Sequence, residues 1–204
     1  DGVVVEPRGP VLLGIAGAAL LGQQVRILPR AALAAVDEGA VKLKIGYIRV
    51  APTVAYVSPS GLDIFPYTNW LTAATSLETA VDEACNGTTV YVTNARYDIA
   101  AQLLVTNAVT IRGVNKAAAT IVSVGAADRC VYMDHASAVI EGFTFIDGDV
   151  TGDGGGVLCL DGALQHCIVR SNSATASGGG IYAGTNALVR NCLVVENDAG
   201  DGAG

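Results

Sequence analysis

The C-terminal part of the chain nearly repeats itself. The segment GGGVLCLDGALQHCIVRSN (154–172) returns as GGGIYAGTNALVRNCLVVEN (178–197). Cys167 and Cys192 are 25 residues apart, whereas the glycine triplets that open the two segments are 24 apart. The second copy must therefore contain one extra residue, which we expect near Thr185. A period in the twenties is typical of solenoids, in which each repeat is one coil stacked on the next.

An asparagine ends both copies, and a more degenerate copy precedes them. Asn172 and Asn197 are 25 residues apart, and the segment AVIEGFTFIDG places Gly142 and Asp147 25 residues upstream of Cys167 and Asn172. Because like positions of successive coils stack, the spacing predicts a structural ladder at the turns. Asparagine amides in such a ladder bond to each other and to the turn backbone. The predicted ladder residues are Gly142, Asp147, Cys167, Asn172, Cys192 and Asn197.

The pattern inside each repeat predicts strands. The runs VLCL, CIVR, IYA and CLVV are short, rich in β-branched residues and bounded by Gly, Asn, Asp and Ser, as in strands joined by tight turns. They are too short for helices. The sequence therefore predicts an all-β fold, a right-handed parallel β-helix with about 24–25 residues per coil and like positions about 4.8 Å apart.

The N-terminal quarter does not follow the repeat. We divide the chain into an apolar segment or arm, residues 1–52, and a β-helix, residues 53–204. The run VLLGIAGAALLG (Val11–Gly22) has 12 apolar or glycine residues, fewer than the about 20 that span a membrane as a helix. Two roles stay open for the arm: it packs on the β-helix of its own chain, or it docks on a neighbouring subunit by strand addition.

One helix is predicted at the start of the β-helix. In TSLETAVDEA (75–84), Thr75 and Glu78 have the spacing of a capping box. A helix there would cover the N-terminal end of the stack, where an open coil would leave sheet edges unpaired. The sequence ends at GDGAG, where another glycine-rich turn would open a further coil. Either the chain is cut from a longer repeat protein, or its bare end stacks on another molecule. In both cases we expect an open last coil that can self-associate.

Charge limits the partners. The chain carries a net charge of −7, and binding to a nucleic-acid backbone requires a basic stripe. Nucleic acid is therefore excluded as a partner, and no membrane-spanning segment is predicted. An acidic polysaccharide is disfavoured unless a cation mediates the contact.

The cysteines are interpreted as thiols. Cys167 and Cys192 should be ladder neighbours about 4.8 Å apart, but their Cβ atoms point the same way instead of towards each other. We therefore predict two buried thiols that act as small hydrophobic residues. Pairing among the other three stays open: Cys85, Cys130 and Cys159.

The segment DGDVTGDGGG is the best candidate for a metal site. Asp147, Asp149 and Asp153 alternate with glycines and could gather oxygen ligands for calcium. The spacing matches the opening of an EF-hand loop, but Leu158 stands where that loop requires a glutamate. We favour a solvated turn, with no cofactor and calcium as the alternative. The two histidines are not spaced for zinc.

Catalytic groups are few. Asp134 and Asp161 occupy matching positions in neighbouring coils, and a glycosidase needs two carboxylates at a set separation. Turn preference explains the same pair. Arg112, Arg170 and Arg190 could serve a lyase, but Arg170 and Arg190 do not occupy equivalent repeat positions. We therefore assign no catalytic residue and favour a protein that is not an enzyme.

The repeats resemble a known family. The glycine triplets with their NC and terminal asparagine, preceded by AVTIRGVN and RCVYMDHASAVIEGFTF, are similar to right-handed β-helix repeats of large bacterial surface and secreted proteins, including those akin to polymorphic outer-membrane proteins. The resemblance implies an extracellular or cell-surface location and roles in adhesion, glycan contact or assembly, with polysaccharide lyases and hydrolases on the same scaffold.

Three functions follow. The leading one is a non-catalytic structural or adhesive surface protein that self-assembles through its arm and open coil. The alternatives are a polysaccharide lyase or hydrolase, which needs a groove lined with carboxylates, and a module that binds a glycan or host surface. The last would expose aromatic side chains along one face, for which Tyr132 and Tyr182 are the candidates.

Overall fold

The predicted all-β parallel β-helix is confirmed by the structure. The computed structural model describes residues 52–115, 119–123 and 128–202, together with the backbone of 25–26 and 49–50. Strands of successive coils pair in parallel and form three sheets that wrap one interior. The predicted arm lies almost wholly outside the described residues.

The strands of the stack are distributed over three sheets. The first sheet contains β3 (Val54–Val57), β4 (Thr89–Val92), β6 (Leu103–Val105), β7 (Thr110–Gly113), β9 (Val131–Glu141), β12 (Val157–Gln165) and β15 (Ile181–Arg190). The second contains β5 (Arg96–Ile99), β8 (Ala119–Ser123), β10 (Phe143–Ile146), β13 (Ile168–Arg170) and β16 (Leu193–Val195). The third contains β11 (Asp149–Val150), β14 (Ser173–Ser177) and β17 (Asp198–Asp201).

The second sheet displays the coil period most directly. Its paired residues are Arg96, Thr120, Thr144, Ile168 and Leu193. The first three steps along this row are equal and match the shorter predicted period, and the last step is longer by a single residue. The predicted period is therefore confirmed throughout the second sheet.

The extra residue of the last coil lies where the spacing placed it. Cys159 pairs with Ala183, but Asp161 pairs with Asn186, a position further along than an unbroken register would give. The register shifts between these two pairs, so the irregularity next to Thr185 absorbs the insertion. Both flanking stretches of β15 keep their parallel pairing with β12.

The interior is narrow and apolar. Alternate residues of each strand point inward, as in β4, where Val90 and Val92 are buried. Phe143 and Phe145 are fully buried in the second sheet, with ring centroids 5.9 Å apart. Burial of these rows supplies the main stabilisation of the stack.

The one helix of the described residues, α1 (Leu77–Asp82), packs against β3 to β6 at the N-terminal end of the stack. Leu77, Ala80 and Val81 are its buried residues. The predicted N-cap was wrong by one residue: the hydroxyl of Ser76, not of Thr75, accepts the amide of the third residue of the helix at 3.1 Å. The Thr75 amide instead donates to Asp63, so the helix begins later than the sequence pattern predicts.

Before Pro52, the structure describes the backbone of one pair of short strands. Strand β1 (Val25–Arg26) pairs antiparallel with β2 (Arg49–Val50), with Val25 opposite Val50. Pro52 separates β2 from β3, because it lacks the amide hydrogen that a strand ladder uses.

Candidate functional site

The turn after the second sheet contains the asparagine ladder. Asn172 is 2% exposed, and its side-chain amide donates to the carbonyls of Phe145 and Arg170 and to Oδ1 of Asn197 at 3.2, 3.0 and 3.0 Å. Its Oδ1 accepts the Gly148 amide at 2.9 Å. Asn172 therefore joins three successive coils through one side chain.

Asn197 repeats part of this arrangement one coil later. Its amide donates to the carbonyls of Val169 and Val195, each at 3.0 Å, and its Oδ1 also accepts the backbone amide of Asn172 at 3.1 Å. The two asparagines thus satisfy turn backbone groups that would otherwise be buried without partners. These hydrogen bonds stabilise the fold, and the two asparagine side chains are not reactive groups.

The prediction that Asp147 occupies the same ladder position was wrong by one residue. Ser173 donates its amide to the Gly148 carbonyl at 2.7 Å, so Gly148 lies opposite Asn172 and Asp147 lies opposite Ser171. The step between these coils is shorter by a single residue than the step from Asn172 to Asn197. Asp147, like Ser171, has a positive φ, 61° and 56°, and it ends its strand in a left-handed turn that short polar residues tolerate.

Gly142 is displaced in the same way. The register of β10 with β13 places Gly142 opposite His166, not opposite Cys167. His166 and its own counterpart Asn191 both have φ of 53°, and Gly142 has φ of 82°. Gly142 therefore belongs to the left-handed corner that precedes the second sheet, and Phe143 is the counterpart of Cys167.

Cys167 and Cys192 are stacked neighbours and both are thiols, as predicted, but the prediction that both are buried was wrong for Cys192, which is half-buried. None of the five cysteines forms a disulfide. Leu193 donates its amide to the Cys167 carbonyl at 2.9 Å, which fixes the register of the pair. The Cys167 thiol donates to the Gln165 carbonyl at 3.2 Å. The neighbouring Cys192 sulfur and burial both raise the pKa of Cys167. Cys167 in turn lowers the pKa of the half-buried Cys192, whose thiol donates to the Arg190 carbonyl at 3.3 Å.

The carboxylates of the candidate calcium segment are directed to different partners. Asp147 lies 3.8 Å from the Arg96 guanidinium, and Asp153 accepts the Ser177 amide at 2.9 Å. Asp149 is exposed in β11. Within the described ranges, no three His, Cys, Asp or Glu side chains are grouped to share a metal ion. Calcium binding stays a prediction from the sequence.

The paired aspartates lie inside β9 and β12, where the register between the two strands shifts. Asp134 and Asp161 are paired, as their matching positions predict. Asp161 accepts the adjacent Gly162 amide at 2.7 Å, and Asp134 accepts the Tyr132 hydroxyl at 3.4 Å. The two carboxylates therefore make local bonds within strands, and the turn that the sequence offered as the alternative explanation of the pair was wrong.

Sequence reasoning missed a row of polar side chains on the outer surface of the first sheet. We call Arg112, Glu141, Gln165 and Arg190 the polar row, since the register of β7, β9, β12 and β15 places them side by side. Arg112 lies 3.1 Å from Glu141, Gln165 donates to Glu141 at 3.5 Å, and Arg190 donates to Gln165 at 2.6 Å. His166, with Nδ1 3.6 Å from Glu141, lies beside the row.

Aromatic rings extend the row towards the N-terminal end. Tyr91 pairs with Arg112, and Tyr56 pairs with Tyr91. The two tyrosine rings stack with centroids 5.7 Å apart, and Trp70 packs its edge on Tyr56 at 4.5 Å. Arginine, carboxylate and aromatic groups along one face, with the mostly buried amide of Gln165 between them, suit hydrogen bonding and stacking with an extended polar ligand.

The row does not contain the carboxylate pair of common glycoside hydrolysis. It contains one carboxylate, Glu141, and that group is already bonded to Arg112 and Gln165. Glycoside hydrolysis in its common form requires a second carboxylate across the bond to be cut.

The sequence contained only part of the signal for this row. Arg112 and Glu141 are further apart in the chain than one coil period, so the repeat does not align them. Gln165 and Arg190 each stand two positions before a ladder cysteine, which is a detectable signal.

Tyr132 and Tyr182, the predicted aromatic candidates, lie on another outer row. Both pair with Leu158 of the intervening strand, and Tyr132 also pairs with the exposed Leu104. Leu158 therefore separates the two tyrosines, which do not form a continuous platform.

No protein-family model, curated protein or solved structure matches this chain. In the described part of the chain, none of the helical segments has the length and apolar character needed to cross a membrane. The arrangement of the side chains is therefore the only observation that bears on the function of this chain.

Proposed function

We propose that this chain is a non-catalytic structural or adhesive β-helix protein of the bacterial cell surface or extracellular space, akin to the repeats of polymorphic outer-membrane proteins. The mutual pairing of the polar row supports this reading. Arg112, Glu141, Gln165 and Arg190 satisfy one another along the stack. Catalytic groups are instead kept poised by their surroundings for a reacting atom.

The same row supports glycan binding as the second candidate. The charges of Arg112 and Arg190 exceed that of Glu141 by one, and Tyr91 and Tyr56 continue the row. A polar polymer lying along the coil axis would meet guanidinium, amide and aromatic groups in sequence. Such planar groups bind sugar hydroxyls and ring faces at low entropic cost.

Affinity electrophoresis against neutral and acidic polysaccharides, with assays for released reducing ends and unsaturated products, tests both candidates. We expect binding without cleavage, weakened in Arg190→Ala and unchanged in the matched variant Arg170→Ala, whose side chain is exposed on another sheet. Cleavage of any polymer by the parent chain would overturn the non-catalytic proposal. Binding that is equal in both variants would remove the polar row from the adhesive role.

Location and assembly have their own tests. An antibody against the chain should label intact cells. Labelling that appears only after lysis would overturn a surface location. Self-association is tested by sedimentation over a hundredfold range of protein concentration. A single species at every concentration would limit the proposal to a monomeric surface module.

A further inference from the structure

The loop between β3 and α1 presents four large apolar side chains to solvent. Leu62, Ile64, Trp70 and Leu71 are 59%, 50%, 42% and 68% exposed, and we call them the apolar patch. The other large exposed apolar residues of the described chain are dispersed over four positions outside this loop: Leu104, Val114, Leu188 and Leu193. Apolar groups gathered at one place on a surface mark an interaction site.

The patch is held in place by the loop backbone. The Leu62 amide donates to the Leu71 carbonyl at 2.9 Å, and the Ile64 amide donates to the Thr72 carbonyl at 3.1 Å. Trp70 is fixed by its contact with Tyr56. The exposed side chains thus project from a bonded framework that is already formed before a partner arrives, which lowers the entropic cost of binding.

The composition of the loop favours an uncharged partner for the patch. Asp63 is the single charged residue between Ser58 and Ala74, and its carboxylate accepts the Thr75 amide at 3.2 Å. A charged partner would lose hydration here without gaining an ion pair. The apolar run Val11–Gly22 has no charged residue.

Chain connectivity limits the distance between this run and β3, the strand that leads into the patch loop. Gly22 is three residues before Val25, a reach of at most about 11 Å. Val25 pairs with Val50, and Val50 is four residues before Val54, a reach of at most about 14 Å. A tether this short gives the run an effective concentration in the millimolar range at the loop, far above that of another molecule in dilute solution.

We propose that the apolar run Val11–Gly22 docks on the apolar patch of its own chain. Docking removes two uncharged apolar surfaces from water, and the short connections through β1 and β2 limit how far the run can move from β3. This contact would also withhold the run from neighbouring molecules. The inference does not depend on the proposed function, since it uses neither the polar row nor a glycan.

Trp70 is the only tryptophan of the chain, so its fluorescence reports on the patch directly. In the full-length protein, Leu12→Asp with Ile15→Asp should shift the emission to longer wavelength. Acrylamide quenching should become roughly twofold steeper, because uncovering one face of the ring doubles the area open to collision. The matched variant, Leu12→Met with Ile15→Val, keeps the run apolar and should behave like the parent.

A second variant tests whether the change in Trp70 quenching depends on the apolar patch. Leu62→Ser with Leu71→Ser alters side chains that are already exposed, so far-UV circular dichroism and the thermal midpoint should report a folded protein. In this background the aspartate substitutions of the run should no longer change the quenching of Trp70. Such non-additive effects of the two sets of substitutions would show that run and patch are coupled, as residues in contact are.

Three outcomes would overturn the proposal. Equal quenching in the parent and in the Leu12→Asp, Ile15→Asp variant would exclude contact between run and patch. Protection of Trp70 that rises with protein concentration would assign the patch to a second copy of the chain. Protection that appears only on addition of phosphatidylcholine vesicles would assign it to a lipid surface. Each result leaves the cleavage and glycan-binding tests of the proposed function unaffected.

Discussion

Individual side chains bind successive coils together through very few atoms. Asn172 uses both amide hydrogens and its oxygen on groups from three coils, and it is almost completely buried. In a parallel stack each backbone group is paired with the coil above or below except at the corners. A buried amide at the corner therefore determines whether the turn backbone has partners.

Asn172→Ala should lower the free energy of unfolding by about 2–4 kcal/mol, because it leaves the Gly148 amide and the Phe145 carbonyl buried without partners. The control Asn186→Ala changes an exposed asparagine of β15 and should cost less than about 0.5 kcal/mol. Urea unfolding followed by circular dichroism compares the two. Equal stability of Asn172→Ala and the parent would refute the structural role of the ladder.

The stacked thiols predict selective chemistry. At pH 7 Cys192 should react with iodoacetamide faster than Cys85, the other half-buried cysteine, because the neighbouring Cys167 thiol lowers the Cys192 pKa and a thiolate is the nucleophile. Cys167→Ala removes this neighbour and should slow the reaction, although it also opens space. Peptide mass spectrometry over time measures both rates. A faster reaction in Cys167→Ala would contradict the electrostatic cause.

Among the elements, the glycine-rich turns control how closely coils approach. A Cβ atom on Gly156 would lie 2.7 Å from the Gly180 carbonyl oxygen and 2.8 Å from the Asn172 amide nitrogen. These distances are well inside van der Waals contact. The triplet therefore reflects the spacing of the coils and the room needed by the asparagine ladder, not chain flexibility.

Gly156→Ala should destabilise the protein by about 3 kcal/mol or more, since backbone atoms of the next coil cannot move away as a side chain could. Gly152→Ala is the comparison: its φ of 130° disfavours alanine, but a Cβ there meets nothing within 4 Å. Thermal unfolding should rank Gly156→Ala clearly below Gly152→Ala. The reverse order would mean that backbone strain, and not crowding, limits this turn.

Stability of the whole molecule comes from stacking, without covalent cross-links. The five cysteines are thiols, and the buried rows of neighbouring coils form one continuous cluster from Ala55 to Val169. Each coil rests on its neighbours, so loss of one contact is transmitted along the stack.

The thermal midpoint should therefore be the same with and without a strong thiol reductant. A disulfide would contribute about 2–4 kcal/mol by restricting the unfolded chain, and its reduction would lower the midpoint. Differential scanning calorimetry on freshly purified protein in both buffers measures this. A lower midpoint in reductant would indicate a cross-link that the described structure does not contain.

Sequence alone determined the architecture and much of its detail. Strands with alternate residues pointing inward, the coil period and the insertion near Thr185 were all predictable, because the repeat distance of nearly identical coils can be read from the sequence. The pairing of Asn172 with Asn197 follows from the same spacing. In both cases the information lies in short segments whose local pattern and repeat distance agree.

Tertiary structure decided the features that depend on exact register between unlike coils. A coil shorter by a single residue moves every following side chain by one ladder position, which displaced Asp147 and Gly142 from the predicted ladder. The polar row depends on the pairing of Arg112 with Glu141, whose separation in the chain does not match the repeat. Parallel pairing joins residues far apart in the chain, so its register is fixed by loop lengths and packing that only the folded coils contain.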